Sequence, residues 1–465
     1  MDDKFTKEQS ASPPSSSAAA RTSRRRPIGR VANPGLLLGV QATEPRFPFG
    51  FAPPRVTDKV RAGRIVRSHA PAHALTVAAT GSGKGRDVII PNVLMHDGLL
   101  ICVDAGEVTR VCARRRREIG DEVVIIDPFG HVGPQTHALN PIEIIDVCGD
   151  LHAQDMAETI AWDLSRGHPT NDAFWTNTGC SLCSGCIAHA ASLADPSART
   201  LVTAASMLEG EDPVYRIAQG LDRKEIHDPF AAARFAEFLE LPDGNNGATR
   251  SCVLATARQY FGFMRSEGIR RALGASNFKF ADLIEGERPL SMFLVFPPTR
   301  ARSHAGLLRL WISTIFALMA ARTHMPSKRT LLLIDECAQV GRLEQLSTMY
   351  SYLRGTGTTI WTFWQSLGQI MDLYPNEWRT IIENSDIQAF GLHATAVEAM
   401  ANLIGIPAST LRGLAPDQQV LARADRPPEI VGRLNYMTHR LFHGLADENP
   451  RYTRTRSTDV QGPEL

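Results

Sequence analysis

The segment Ala78 to Gly85, AATGSGKG, constrains this chain more than any other stretch. The apolar run ALTVAA leads into it, and an apolar-periodic segment from Asp87 to Met95 follows. A glycine-rich turn between a strand and a helix presents successive backbone N–H groups to an anion, and the helix N-terminus adds the positive end of its dipole. Lys84 supplies a mobile point charge for β- and γ-phosphates. Thr80, Gly81, Ser82, Gly83, Lys84 and Gly85 are therefore the candidate nucleotide-binding residues. The match departs from the full pattern in two places. Ala78 stands where glycine is usual, and Gly85 stands where a serine or threonine would ligate magnesium. Thr80 or Ser82 is the candidate to replace that hydroxyl.

The flanking pattern says what kind of fold carries this turn. After the turn come LLICVD, a basic stretch around Arg114 to Arg117, and EVVIID. Strand alternating with helix implies a parallel sheet. In residues 151–285 β-branched runs are scarce, and the stretch reads as helices. Strand character returns with LSMFLVFPP, TLLLIDE, TTIWTFWQS and IQAFGL. The expected class is α/β, a mainly parallel sheet interrupted by an inserted all-α domain. The expected boundaries are a disordered Ser/Pro/Arg-rich segment over 1–45, the first part of the nucleotide-binding domain over 46–150, the helical insertion over 151–285, the second part over 286–446, and a polar tail over 447–465.

The partner of the phosphate turn is Leu331 to Glu336, LLLIDE. Four apolar residues make a buried strand. Asp335 at its end is placed to hold Mg2+, and Glu336 to polarise an attacking water. The strand TTIWTFWQS ends near Gln365.

Bulk composition excludes little. Of 465 residues, 43% are hydrophobic and 21% charged, which is ordinary for a globular chain. The formal net charge of +1 means that any nucleic-acid binding must rest on local basic patches. The N-terminus has no apolar leader, and the eight cysteines form no evident disulfide framework, so a reducing cytoplasm is expected. Arg24 to Arg26 are read as part of a solvated tail. Gly306 to Ala321 is the longest apolar stretch; it is short and carries Arg309, so it reads as a core helix. Cys180, Cys183, Cys186 and His189 have a spacing seen in metal sites, but four ligands on one helix splay too widely, and buried thiols are the expected role.

Taken together, these stretches resemble the conjugative coupling proteins of type IV secretion systems, the TraG/TraD class. The resemblance covers residues 70–445 and rests on TGSGKGRDVIIPNVL, VVIIDPFG, ALNPIEII, DAFWTNTG, SNFKFADLIEGERPLSMFLVFPP, LLLIDECAQVGRLEQL, WQSLGQIMDLYP and RADRPPEIVGRLNYM, in the family's order. It implies a RecA-like P-loop NTPase that binds ATP and Mg2+, assembled as a homo-hexamer. The ring would drive single-stranded DNA without sequence preference, or a relaxase–DNA complex, to the secretion channel. Lys84, Glu336 and Gln365 would be catalytic, with Gln365 sensing the γ-phosphate, and Asp335 would hold Mg2+. Glycine after the P-loop lysine is accepted in the family. An arginine from a neighbouring subunit is expected, with Arg354 and Arg379 as candidates. Two departures stand out. A basic segment occupies the place of the family's two N-terminal membrane helices, so an indirect, peripheral location at the bacterial inner membrane is expected. The family's D-P-K-G-E is shortened to Asp104-Ala105-Gly106-Glu107. A docking adaptor of weak or no activity, an FtsK-like translocase and a small-molecule kinase are the competing readings.

Overall fold

The computed structural model describes residues 35–41, 63–68, 72–149, 152–166, 168, 172–242, 248–449 and 452. Eleven strands among them form one sheet. The first three are β1 (Leu37–Gln41), β2 (Ile65–Arg67) and β3 (His73–Ala78). They are followed by β4 (Leu100–Asp104), β5 (Glu122–Ile126), β6 (Leu290–Val295) and β7 (Thr330–Ile334). The last four are β8 (Thr358–Trp364), β9 (Ser385–Phe390), β10 (Gln418–Arg423) and β11 (Arg426–Gly432). The spatial order is β2-β1-β11-β10-β9-β3-β8-β7-β4-β6-β5. From β5 through β9 all neighbours are parallel. The four strands beyond β9 are antiparallel.

Alternation along each strand sends side chains to two separate cores. Leu75, Val77, Ile101 and Val103 face the helix Pro298–Ala320 and the helices between β5 and β6. Ala74, Ala78, Leu100 and Cys102 face the helices that follow the phosphate turn and β4. Strands buried on both faces explain the unbroken apolar runs.

Between β5 and β6 the described residues form helices and no strand. Their starts are written in the sequence: Asp212-Pro213 and Asp228-Pro229 each place an acceptor at the N-cap and a proline in the first turn. The helix Ala173–Ala191 runs through the centre of this block. A Cβ at Gly179 would lie 3.0 Å from Thr256, and one at Gly185 would lie 2.9 Å from Arg234, so small residues let the neighbouring helices close in. Cys180 and Cys183 sit in the same seam, their thiols directed at the carbonyls of Ala161 and Ala257 on two other helices. Asn140 joins block to body: its amide donates to Arg199 O at 2.7 Å and its backbone N–H to Ser276 Oγ at 2.9 Å.

Gly306 to Ala320 falls within the helix Pro298–Ala320, with Ala321 as its C-cap; this is the one helix among the described residues long and apolar enough to cross a membrane. Trp311, Ile312, Ile315 and Leu318 on it are fully buried, and Trp311 Nε1 donates to Leu139 O at 3.0 Å. It is a core helix.

Two boundaries need correction. Leu37–Gln41 was expected in a disordered segment, yet it is a buried strand of the sheet. Its pull is not compositional. Asn92 accepts from Leu37 N at 2.7 Å and donates to Leu37 O at 2.9 Å, standing in for a strand partner. Gln388 Nε2 donates to Leu38 O at 3.2 Å. The start of the polar tail also packs: Asp447 N donates to Val111 O at 2.9 Å, and Asn449 is buried with its amide on Glu107 Oε1 at 2.7 Å. Apart from Gly35, Leu36 and Tyr452, the remainder of both expected terminal segments, Arg24 to Arg26 included, lies outside the described residues.

Asn92→Ala should orphan the buried N–H and C=O of Leu37. At roughly 1–3 kcal/mol per orphaned group, the loss should be at least about 2 kcal/mol, read as a lower denaturant midpoint.

Candidate functional site

Because the central strands are parallel, the residues that leave their C-terminal ends gather along one edge. β8 lies between β3 and β7. The turn after β3, the acidic pair after β7 and the glutamine after β8 therefore meet. Lys84 Nζ lies 3.1 Å from Glu336 Oε1 and donates to Ala78 O at 3.0 Å. Gln365 Nε2 donates to Glu336 Oε2 at 2.8 Å. One carboxylate thus receives donors from two other strand ends.

Local backbone geometry builds this meeting point. Gly81 and Gly83 have φ of +76° and +97°, a region that costs other residues about 1–2 kcal/mol. At Gly83 a Cβ would also stand 2.8 Å from Asp87 Oδ2. Glu336 itself is left-handed, with φ +48° and ψ +50°. A non-glycine residue holds that conformation only when its surroundings enforce it. Here Glu336 N donates to Asp335 Oδ1 at 2.9 Å, and Gln339 N donates to Glu336 O at 2.8 Å.

The cavity at this edge measures about 290 Å³. Thr80, Gly81, Gly83, Lys84 and Gly85 form one wall, Asp335, Glu336 and Gln365 another, and Asp104, Ala105 and Glu107 a third. Burial, reinforced by the charge of Glu336 and opposed by Lys84, pushes the Asp335 carboxyl up to about 7. Burial pushes Asp104 up to about 6 against hydrogen bonds from Thr109, whose hydroxyl donates at 2.8 Å.

The donor set suits a polyphosphate with a hard divalent cation. Two of the three N–H donors of Lys84 meet protein acceptors among the described residues, and the glycine wall offers backbone N–H groups. Asp335 and the Thr80 hydroxyl are oxygen donors of the type Mg2+ takes. Ser82 is placed otherwise. Its hydroxyl donates to Ala79 O at 2.6 Å and it does not line the cavity, so of the two candidates to replace the missing hydroxyl only Thr80 faces the site. Arg354 and Arg379 are exposed on the segments leading into β8 and β9, at the opposite edge of the sheet.

The structure adds residues that the sequence did not single out. Arg433, just after β11, pairs with buried Asp87 at 2.9 Å, donates to Ser82 O, and lies over the Phe390 ring at 4.7 Å. Asp87 also pairs with Arg86 at 2.7 Å. This clamp fixes the phosphate turn from the antiparallel side of the sheet. A buried acid directly after GKGR was its only local signal; its partner is hundreds of residues away.

A family model for type IV secretory system conjugative DNA transfer matches residues 43–404. The chain belongs to that family. It is 24% identical over 331 residues to the conjugal transfer protein TraG of Escherichia coli, covering 67% of this chain and 51% of the relative. It is 21% identical over 306 residues to the type IV secretion system-coupling protein VirD4 of Bartonella henselae, covering 64% and 47%. The chain spans about half the length of the curated relatives it matches. Among solved structures, the conjugative coupling protein TrwB superposes with a TM-score of 0.59 at 16% identity, over 78% of this chain and 86% of that one. The fold is therefore the α/β RecA-like P-loop fold, with its mainly parallel sheet.

Asp335 generates a pH test. Its folded-state pKa of about 7 exceeds the ordinary 3.8, so folding favours the proton. Stability should fall as pH rises from about 4 to about 7 and stay low above that range. Asp335→Asn, which keeps the acceptor for Glu336 N, should raise the melting temperature at about pH 8 and leave it nearly unchanged at about pH 4.

Proposed function

We propose that this chain is an ATP-driven coupling protein that recruits DNA, single-stranded or in complex with a relaxase, and drives it toward a type IV secretion channel. The observation that carries the reading is the single carboxylate of Glu336 held by Lys84 at 3.1 Å and Gln365 at 2.8 Å beside the glycine turn. Membership of the conjugative DNA transfer family supports the cargo. Related TrwB structures are complexes with ADP and Mg2+ and with a non-hydrolysable ATP analogue, which supports ATP and Mg2+ as the ligands here.

In this reading the backbone N–H groups of Thr80 to Gly85 and the Lys84 ammonium hold phosphate oxygens. Asp335, with the Thr80 hydroxyl, holds Mg2+. Bound MgATP supplies the scissile phosphoanhydride and the divalent charge. Glu336 orients a water and takes its proton. Gln365, already bonded to Glu336, reports on the terminal phosphate by keeping or releasing that bond. The sheet, residues 46–150 and 286–446 together with β1, forms the motor domain, and the helices of 151–285 form the insertion. A homo-hexameric ring would bring an arginine from the neighbouring subunit; Arg354 and Arg379, exposed at the far edge, are candidates only for that trans role. Attachment to the inner membrane would run through secretion-channel partners. One observation favours a docking adaptor instead: Gly85 carries no hydroxyl, and that of Ser82 is spent on Ala79 O.

Steady-state ATP hydrolysis by the assembled protein should rise on adding single-stranded DNA. Lys84→Ala and Glu336→Gln should each lower turnover by about 10²-fold or more. Nucleotide binding without turnover in the assembled ring would select the adaptor.

A further inference from the structure

A second cavity, larger than the nucleotide site, opens elsewhere in the molecule. It measures about 750 Å³ and lies where the helical block meets the second and third turns of the helix Pro298–Ala320. Arg166, Arg258, Arg265 and Arg309 line it, and among the described residues no acidic side chain does. Arg166 is neutralised by Asp163 and Glu344, each at 3.3 Å. Arg258, Arg265 and Arg309 form no ion pair among the described residues. Arg258 and Arg265 are exposed, and Arg258 donates from Nε alone, to Leu208 O at 2.6 Å. Arg309 is held by carbonyls, Val340 O at 3.0 Å and Arg166 O at 2.9 Å, with Asp163 and Glu344 acting on it only at longer range. For a chain of net charge +1 this is a local concentration of cations.

The cavity is also wired to the nucleotide site. The helix Pro298–Ala320 has its first residue at the nucleotide cavity and Ser303 to Arg309 at the basic one. The carbonyl that Arg309 holds belongs to Val340, at the end of the turn Cys337–Val340 that begins directly after Glu336. One hydrogen bond thus joins the turn that follows Glu336 to an arginine of the basic cavity.

We propose that this cavity grips the phosphodiester backbone of the single-stranded DNA that the protein moves, with Arg258, Arg265 and Arg309 as phosphate contacts. The proposal rests on the coupling-protein reading and assigns it a DNA site. Guanidinium groups without carboxylate partners are matched to phosphates, and several spread over one large cavity suit a string of phosphates better than a single anion. Phe263, partly buried against the core, is the aromatic side chain in the same lining, a residue type on which bases stack. Contacts of this kind read charge and not sequence.

The test is binding of a fluorescein-labelled oligo-dT and a mixed-sequence oligonucleotide to the full chain across a salt series. Arg258→Ala with Arg265→Ala should weaken both oligonucleotides alike, by at least about tenfold, and lower the slope of log affinity against log salt by about 1.4, or 0.7 for each lost contact. Thermal melting checks the fold. Should the pair unfold the chain, the single exposed change Arg265→Glu must still weaken binding. Wild-type binding with unchanged affinity and slope in these variants would overturn the site and leave the coupling reading standing. A wild-type chain that hydrolyses ATP but binds neither oligonucleotide would overturn both.

Discussion

The Glu336 carboxylate, shared between Lys84 and Gln365, is the contact on which the architecture of the active edge depends. Its two oxygens face donors from two different strand ends, at 3.1 Å and 2.8 Å. To reach them, Glu336 takes a left-handed backbone conformation that costs on the order of 1–3 kcal/mol. The surrounding structure holds it there through Asp335 and Gln339. In the proposed reading, a phosphate entering the cavity would compete with Glu336 for Lys84. The same event that binds nucleotide would then free the general base and alter its bond to Gln365. The strained turn continues into Val340, whose carbonyl holds Arg309 in the basic cavity. Nucleotide chemistry and cargo grip would share one short segment.

This arrangement follows from strand order. β8 sits between β3 and β7, so Gln365 falls between the glycine turn and the acidic pair. The register places Val77 beside Trp364 and Ile334 beside Thr362, which brings the three strand ends to the same edge. No residue near Gln365 encodes this; it is a property of the whole sheet.

Much of this was legible in the sequence because its causes are local. Doubly buried strands must be apolar throughout, so LLICV and TLLLI stand out, and AATGSGKG announces its turn through its glycines. The helical block announces itself through the scarcity of β-branched runs. What was not legible depends on partners far along the chain. Leu37–Gln41 has no distinctive composition and becomes a strand because Asn92, Gln388 and β11 supply its hydrogen bonds. Arg433 reaches Asp87 only once the antiparallel edge has formed. Ser82 and Thr80 are two residues apart and equivalent in sequence, and only the bond to Ala79 separates their roles. The thiols of Cys180 and Cys183 belong to a tight helix seam, as their small neighbours suggest.

In the proposed reading nucleotide and Glu336 compete for Lys84, which a double-mutant cycle on MgATP affinity by calorimetry measures directly. Glu336→Gln should bind MgATP more tightly than the wild type, because the neutral amide no longer holds the ammonium. That gain should vanish in a Lys84→Ala background. No gain, or an equal gain with and without Lys84, would contradict the account.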